Sequence, residues 1–495
     1  MTTKALKCNV ERPELVQARK KYNIISDSLE GELAVKDKGV TYLPMPSSCD
    51  SQTEKLERYA SYKMRAVYYN VIKPTQDALV GQLFLREPKV KVPKSMEMML
   101  EDINGEGLSF EQLVRKAANH ILPYGRGGLL ADFPVTDGEV TKADVESGIR
   151  PTIRFIPPWA IINWQITKIK TEHKLVMLVL KEAYEYTSGY DSFKVQTSHK
   201  YRVYRLLEDG CVSVEVWDEE SGDLKEAYNL CGQDGKNLGE IPFEFVGSEN
   251  NDSEIDEPPL YSMAVLNIAH YRNSADYEES VFLVGQPTPV YAGLTDDWVT
   301  NHFQKGIPFG SRAAVPLPED ATAHLLQAMP NTLAFEAMTH KEEQMIAIGA
   351  KIINPRQTVE RKEAEIQIEA ASQKSVLSTI KDNLEAALLS CLKKAALFVD
   401  TTGDEEIEVE LNDNFDLTSM SAEELRWLIE LFGARLIPFS GVHENLRRSG
   451  LVKNSVEDAM AAIKADQSFI DSINPDLEPA SAKDQPNSKA EDLTN

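Results

Sequence analysis

Apolar positions along this chain recur with two different periods, and the switches between them mark its organisation. Residues 1 to about 50 read as a polar helix opened by Pro13, whose fixed φ suits a first turn, followed by a loop with Gly39, Pro44 and Pro46. From Glu54 to about Phe84 the apolar positions Tyr59, Tyr62, Val67, Val71, Ile72, Leu79, Val80 and Leu83 predict a second helix, kinked or broken by Pro74. Ser109 with Gln112 forms a capping box, which predicts a helix from Phe110 to about Tyr124, stopped by Gly125, Gly127 and Gly128.

The period then shortens. Leu129 to Phe133, Thr152 to Ile156, Ile161 to Ile166 and Leu175 to Tyr186 are rich in β-branched and aromatic residues and predict strands. Tyr201 to Glu208 and Cys211 to Trp217 flank Asp209-Gly210, a hairpin signature, and Val212, Val214 and Val216 alternate as a half-buried strand requires. With Glu244 to Val246 this gives a β-rich insert over residues 127–247.

Helical spacing returns after an acidic loop, Ser248 to Glu257. Pro259 to Val284 predicts a helix of about 24 residues, or roughly 36 Å, ended by Gly285-Gln286-Pro287. Short strand-like pieces broken by glycines and prolines follow to about Gln327, then a helix from Asn331 to Ile348 ended by Gly349. Two long helices bracketing a knot of strands make a stalk with a tip. From Arg356 to Thr402 there are 47 residues without Gly or Pro. Within them Leu377, Ile380, Leu384, Leu388, Cys391, Ala395 and Phe398 keep helical spacing, so one helix of about 55 Å is expected from about Glu363 to Val399. Beyond it come a short strand at Glu406 to Asn412, a capping box at Ser421 and Glu424 opening two or three short helices to about Ile470, and a polar tail from Asn474 expected to be disordered.

Composition narrows the function classes. At 495 residues, 42% apolar and 26% charged, the chain suits a folded soluble protein of two to four structural units. Its five cysteines form no CxxC pair and stand far apart in sequence, so neither a disulfide framework nor a zinc site is expected, and a reducing compartment fits. No apolar run approaches a membrane span. The net charge of −25 argues against a protein that grips nucleic acid over its whole surface, because phosphate binding needs clustered Lys and Arg. A wall past which DNA slides is a different case, since a mostly repulsive surface with sparse cationic points avoids a trap. The segment Ala350 to Lys362 fits such a point: Lys351, Arg356, Arg361 and Lys362 stand against Glu360 alone, a local balance of +3. These cations could equally cap the preceding helix or pair with Glu363 and Glu365.

Catalytic chemistry finds no home in the sequence. It holds no phosphate-binding loop, dinucleotide fingerprint, nucleophile elbow, HExxH or calcium loop. His340 and His443 lack a second histidine at ligand spacing, and the cluster Asp252, Glu254, Asp256 and Glu257 reads as a solvated loop before it reads as a cation site. Trp159, Trp164 and Tyr184 read as core or subunit interface. No cofactor is expected.

The order of parts, together with several sequence blocks, resembles the portal proteins of tailed double-stranded DNA bacteriophages. The blocks are Ile241-Pro-Phe-Glu-Phe-Val-Gly-Ser, Pro258-Pro-Leu, Leu266-Asn-Ile-Ala-His-Tyr-Arg-Asn-Ser-Ala-Asp-Tyr-Glu and Val284-Gly-Gln-Pro-Thr-Pro, with Tyr42-Leu-Pro, Ile121 to Gly128 and Ile161-Ile-Asn-Trp upstream. They span most of residues 10 to 400; the C-terminal part matches less well.

The resemblance implies an α+β, mainly helical fold with wing, stem, clip and crown, one very long helix and a β-rich insert. On this chain the wing is residues 1–258, the stem helices 259–284 and 331–349, the clip 285–330 and the tunnel loop 350–362. The long wing helix and short strand are 363–417, the crown 418–473 and the disordered tail 474–495. It further implies a non-enzymatic subunit of a ring, normally dodecameric, at one capsid vertex of the virion, assembled in the host bacterial cytoplasm, through which DNA is packaged and ejected. Implied partners are double-stranded DNA without sequence specificity, a large terminase subunit, capsid and scaffolding proteins, and adaptor or tail proteins, with no membrane. Lys351, Arg356, Arg361 and Lys362 are the expected DNA-facing residues, and Asp296, Asp297, Trp298 and Lys305 the expected docking residues of the clip. A different virion ring or adaptor, or an enzyme with an unrecognised site, are the alternatives.

Overall fold

A computed structural model describes residues 8–46, 52–134, 150–187, 193–232, 235–285, 288–302, 317–326, 332–353, 375–399, 407–412, 422–434, 436–448, 452 and 455–473. The chain divides into two compact units, Met1–Asp413 and Asn414–Asn495.

The first unit opens with helices α1 (Pro13–Glu30), α2 (Glu32–Asp37), α3 (Gln52–Arg65) and α4 (Ile72–Leu83). The expected single helix from Glu54 to Phe84 is therefore two helices. The break lies at residues 66–71, and Pro74 falls in the first turn of α4, where its missing N–H costs no helical hydrogen bond. A buried asparagine holds that break open: Asn267 Oδ1 accepts from the Val71 N–H at 3.1 Å and its Nδ2 donates to the Tyr69 carbonyl at 2.8 Å. After the short helix α5 (Glu97–Glu101) comes α6 (Phe110–Tyr124), which begins at the predicted box, with Ser109 and Gln112 satisfying each other's backbone N–H groups.

The β-rich insert forms two sheets. One has three strands in the order β3 (Thr152–Ile156), β2 (Arg126–Asp132), β9 (Phe243–Gly247), and the other five in sequence order from β4 (Ile161–Ile169) through β5 (Glu172–Thr187), β6 (Val195–Leu206) and β7 (Val212–Asp218) to β8 (Leu224–Leu230). All pairings are antiparallel. A shared core of Leu130, Trp164, Leu178, Leu180, Tyr204, Val214, Phe243 and Phe245 joins them. Gly128 has no freedom to be another residue, because a Cβ there would strike the Phe243 ring. Residues 10–12 lie along β4, an outermost strand of the larger sheet: Arg12 N–H donates to the Ile162 carbonyl at 3.0 Å, and Asn163 Nδ2 donates to the Val10 carbonyl at 3.0 Å.

Next come α7 (Tyr261–Gly285), β10 (Thr288–Ala292), α8 (Asp296–His302), β11 (Thr322–Leu326) and α9 (Leu333–Ile353), with β10 and β11 antiparallel. The stop expected at Gly349 does not occur. The helix runs through it to Ile353, because the missing side chain lets α9 pack closely: a Cβ there would lie 3.3 Å from Thr75 Cγ2 and 3.5 Å from Met263 Cε. The uninterrupted helix expected from about Glu363 to Val399 is also corrected at Ser375, while residues 363–374 lie outside the described residues. Helix α10 is Val376–Ala396, and Ser375, in extended backbone geometry, caps it by accepting the Ser378 N–H at 3.1 Å. At 21 residues it is about 32 Å long. Its predicted apolar stripe is its buried face, with Leu377, Ile380, Leu384, Leu388, Cys391 and Ala395 all inaccessible. Finally β12 (Glu408–Glu410) returns to pair with β1 (Lys89–Lys91), placing Lys89 opposite Glu410 and Lys91 opposite Glu408.

The second unit holds helices α11 (Ala422–Gly433), α12 (Phe439–Arg448) and α13 (Val456–Ile473). Its predicted cap residue Ser421 and the tail from Asn474 lie outside the described residues.

Candidate functional site

The pair α7 and α9 is the part of the fold whose exposure calls for a partner. The two helices are antiparallel with a fixed step. The rings of Tyr277 and Phe335 lie 6.0 Å apart, His270 Nε2 meets Glu342 Oε1 at 3.0 Å, and Met263 faces Gly349. Each contact lies seven residues back along α7 and seven forward along α9, so one seam stays in register over two heptads.

One end of the pair is embedded. Met263, Ala264, Asn267, Ile268, Tyr271, Ser274 and Ala275 are buried on α7, as are Met345 and Ile352 on α9. Polar bonds fasten α7 to the N-terminal helices. Tyr62 Oη donates to Asp276 Oδ1 at 2.6 Å, Arg272 Nε donates to the Tyr42 carbonyl at 2.7 Å, and Arg65 pairs with Glu279. Burial, reinforced by the Asp276 carboxylate, holds the Tyr62 phenol above its ordinary pKa, so it remains a donor throughout the neutral range. The other end emerges. Leu283 is 50% exposed, Phe335 54% and Leu333 71%, while Phe282 is partly covered by the Arg65 guanidinium, 4.2 Å from its ring. Large apolar side chains grouped at the projecting end of a helix pair are a mark of an interaction surface.

The tip carries the predicted docking residues. Asp296 and Asp297 are exposed in the first turn of α8, where carboxylates complement the helix dipole. Trp298 is half-buried, and its N–H donates to Thr295 Oγ1 at 3.4 Å. Lys305 lies outside the described residues. Of the four predicted DNA-facing cations, Lys351 is exposed on the last turn of α9, which makes it helical instead of part of a loop. Arg356, Arg361 and Lys362 lie outside the described residues.

The acidic loop at 248–257 is packed, not merely solvated. Glu249 N–H donates to Asp256 Oδ2 at 2.7 Å, Glu254 N–H donates to Asp252 Oδ1 at 2.7 Å, and burial raises the Asp256 carboxyl above its ordinary pKa. Beneath it, Arg126 is 2% exposed, donates from Nη1 to the Ser253 and Glu254 carbonyls at 3.0 Å, and lies against the rings of Trp164 and Phe245. Burial pulls the pKa of this guanidinium down to about 10. Among the described residues no group of three or more His, Cys, Asp or Glu is arranged to hold a metal ion. No helix among them is long and apolar enough to cross a membrane. Of the three aromatics, Trp164 is buried in the sheet core, Trp159 packs edge-on against Tyr124 at 5.3 Å, and Tyr184 donates to Asp218.

Sequence reasoning passed over Asn267, His270 and Glu342 as structural devices. The seven-residue spacing of Met263, His270 and Tyr277 against Phe335, Glu342 and Gly349 was the signal that could have found the seam.

A family model described as a domain of unknown function (DUF4055) matches residues 259–399, the region of the helix pair, its tip and α10. No curated protein matches the chain. Similar solved chains include one from the virion of a native gene transfer agent particle, 12% identical over 83% of this chain and 97% of that one, at a TM-score of 0.40. Another, from the neck of the native particle computed with C12 symmetry, is 13% identical over 75% and 88%, also at 0.40. A third, from the neck of the empty particle computed with C6 symmetry, is 14% identical over 85% and 98%, at 0.39. At such TM-scores these likenesses do not by themselves define a shared fold.

Proposed function

We propose that this chain is a portal subunit of a tailed double-stranded DNA bacteriophage, a structural and non-enzymatic protein that closes with its copies into a ring at one capsid vertex. The observation that carries this reading is the helix pair α7 and α9, embedded at one end and projecting at the other with Leu283, Leu333 and Phe335 exposed, around a small tip of two strands and one helix. A projecting apolar pair is unfavourable for an isolated chain, because exposed apolar area costs roughly 25 cal/mol per Å² that a neighbour could cover. A head-to-tail neighbour related by rotation covers it on every copy at once and closes. The sequence blocks around Ile241, Leu266 and Val284, which resemble portal proteins, support the same reading.

In this reading α7 and α9 are the stem and the tip between them is the clip, where terminase and then adaptor or tail proteins dock against Asp296, Asp297 and Trp298. The wing is the helical and β-rich part before Tyr261 together with α10, and the crown lies in the C-terminal unit. Lys351, with Arg356, Arg361 and Lys362 following it in sequence, contacts DNA phosphates in the lumen without reading bases, while the net charge of −25 keeps the remaining wall repulsive.

The test is the mass of the purified chain by light scattering, with negative-stain images of the same fraction. A closed ring with a central channel, dodecameric in its usual form, is the expected result. A chain that stays monomeric at high concentration and with scaffolding protein present would overturn the reading.

A further inference from the structure

The cysteines stand far apart in sequence, yet two of them flank the end of one ladder in the five-stranded sheet. Val212 of β7 and Leu230 of β8 form the end pair of their antiparallel ladder, and Cys211 and Cys231 are the residues that immediately flank that pair. The backbone groups of Cys211 are engaged elsewhere. Its carbonyl accepts the Leu207 N–H at 2.8 Å, and its N–H donates to Asp209 Oδ1 at 2.9 Å. Carried one step past Val212 and Leu230, the ladder would set Cys211 and Cys231 as facing residues that do not exchange backbone hydrogen bonds, a geometry of about 4.5 Å between Cα atoms. That lies within the span of roughly 4.4–6.8 Å that a disulfide bridges.

Residues 231–239 then fold back over the same corner. Cys231 bridges to Asn237, Asn237 Nδ2 donates to the Asp209 carbonyl at 3.0 Å, and Gly239 N–H donates to the Gly210 carbonyl at 2.9 Å. These bonds tie the segment after Cys231 to the turn just before Cys211. Both thiols are free, with Cys231 exposed and Cys211 buried.

We propose that Cys211 and Cys231 form a reversible cross-strand disulfide when the folded chain meets a low-molecular-weight disulfide oxidant. The exposed Cys231 thiolate attacks one sulfur of the oxidant and expels the other as a thiolate, leaving a mixed disulfide. Cys211 then loses its proton and attacks Cys231 Sγ, expelling the second thiolate. Two protein thiols are oxidised and one small disulfide is reduced to two thiols. Burial, followed by the charges of Asp209 and Cys231, raises the Cys211 thiol above its ordinary pKa, so the closing step quickens as pH rises. The bond would tie β8, the outermost strand of its sheet, to β7 and slow its fraying. A reducing thiol would release it.

The experiment incubates the full-length folded chain with glutathione disulfide or with dithiothreitol, blocks remaining thiols, and maps non-reduced peptides by mass spectrometry. The expected product is one peptide pair joining Cys211 to Cys231, lighter by two hydrogens, dominant over every other pairing and lost on reduction. Amide exchange across Leu224–Leu230 should slow in the oxidised form. A glutathione adduct on Cys231 that never resolves, or a bond from Cys231 to Cys8 or Cys49, would overturn the proposal.

Discussion

The Lys394 ammonium lies 2.8 Å from the Glu244 carboxylate and 3.1 Å from the Phe243 carbonyl, so a nearly buried charge on α10 fastens that helix to β9. Glu240 stands 3.5 Å away on the open side, and Ser390 also donates to Glu244. Removing the cation alone leaves Glu244 in a confined place with only a hydroxyl partner. Lys394→Ala should therefore cost about 3 kcal/mol, and Lys394→Met combined with Glu244→Gln should recover much of the loss because no charge is stranded. Denaturant unfolding of the two variants decides between a needed charge pair and a needed volume.

Asn267 carries a comparable weight without a charge. It is inaccessible and bonded to Tyr69, Val71 and Ile72, the segment that separates α3 from α4. Asn267→Leu keeps the number and branching of side-chain heavy atoms and leaves three backbone groups without partners, for a loss of about 2–4 kcal/mol. The same substitution at Asn163, whose amide makes one bond to the Val10 carbonyl at the surface, should change stability by less than about 1 kcal/mol.

Gly349 tests the seam. A larger side chain there meets Thr75 of α4 and Met263 of α7 together. Gly349→Leu should destabilise the first unit by about 1–3 kcal/mol through overpacking, despite leucine's better helix propensity. A stabilised protein would mean that α9 does not pack closely at this point.

What could be read from the sequence follows the range of the interaction. Ser109 and Gln112 are local partners three residues apart, and their helix begins where the box places it. Strand β8 was missed because Leu-Lys-Glu-Ala-Tyr-Asn-Leu shows no clean alternation, as suits an edge strand packed mainly on one neighbour. The absence of Gly and Pro from 356 to 402 was read as continuity, although Ser375 can end or begin a helix through its own hydroxyl. Gly349 erred in the opposite direction, since a glycine that admits a neighbouring helix looks in sequence like one that stops its own. The cations of the candidate site were legible as composition. That Lys351 lies on the last turn of α9 was not, because a charge run does not encode where a helix ends, and the placing of Cys211 and Cys231 beside the end pair of β7 and β8 required the strand register.

Acid should loosen the turn between β7 and β8. Asp218 accepts from the Ser221 N–H and hydroxyl, both at 2.9 Å, and from Tyr184 Oη, which holds its carboxyl below the ordinary 3.8. Glu219, which accepts from Tyr201 Oη at 2.6 Å and pairs with Lys181 and His199, is held below 4.5. A depressed carboxylate stabilises the fold above its unfolded pKa, and that contribution is lost as pH falls through the lower folded value. Stability should thus hold down to about pH 4.5 and decline below it. Asp218→Asn should lower stability at neutral pH and flatten the acid limb. An unchanged acid limb in urea titrations at several pH values would remove Asp218 from the account.

Lys351 bears most directly on the proposed function. It is exposed on the last turn of α9, and Arg356 follows five positions later in the same cationic run. The α7–α9 contacts that run through Tyr277, His270 and Met263 do not involve Lys351. Lys351→Glu with Arg356→Glu should leave the assembled mass and the folded stability unchanged. It exchanges two attractive points for two repulsive ones, and each lost phosphate contact lowers the salt dependence of DNA association by about 0.9 in logarithmic slope. Heads assembled from this variant should therefore package or retain less DNA, with a deficit that shrinks as ionic strength rises and screens the repulsion. Normal DNA-filled heads would move the DNA contact away from this end of α9 while leaving the ring itself untouched.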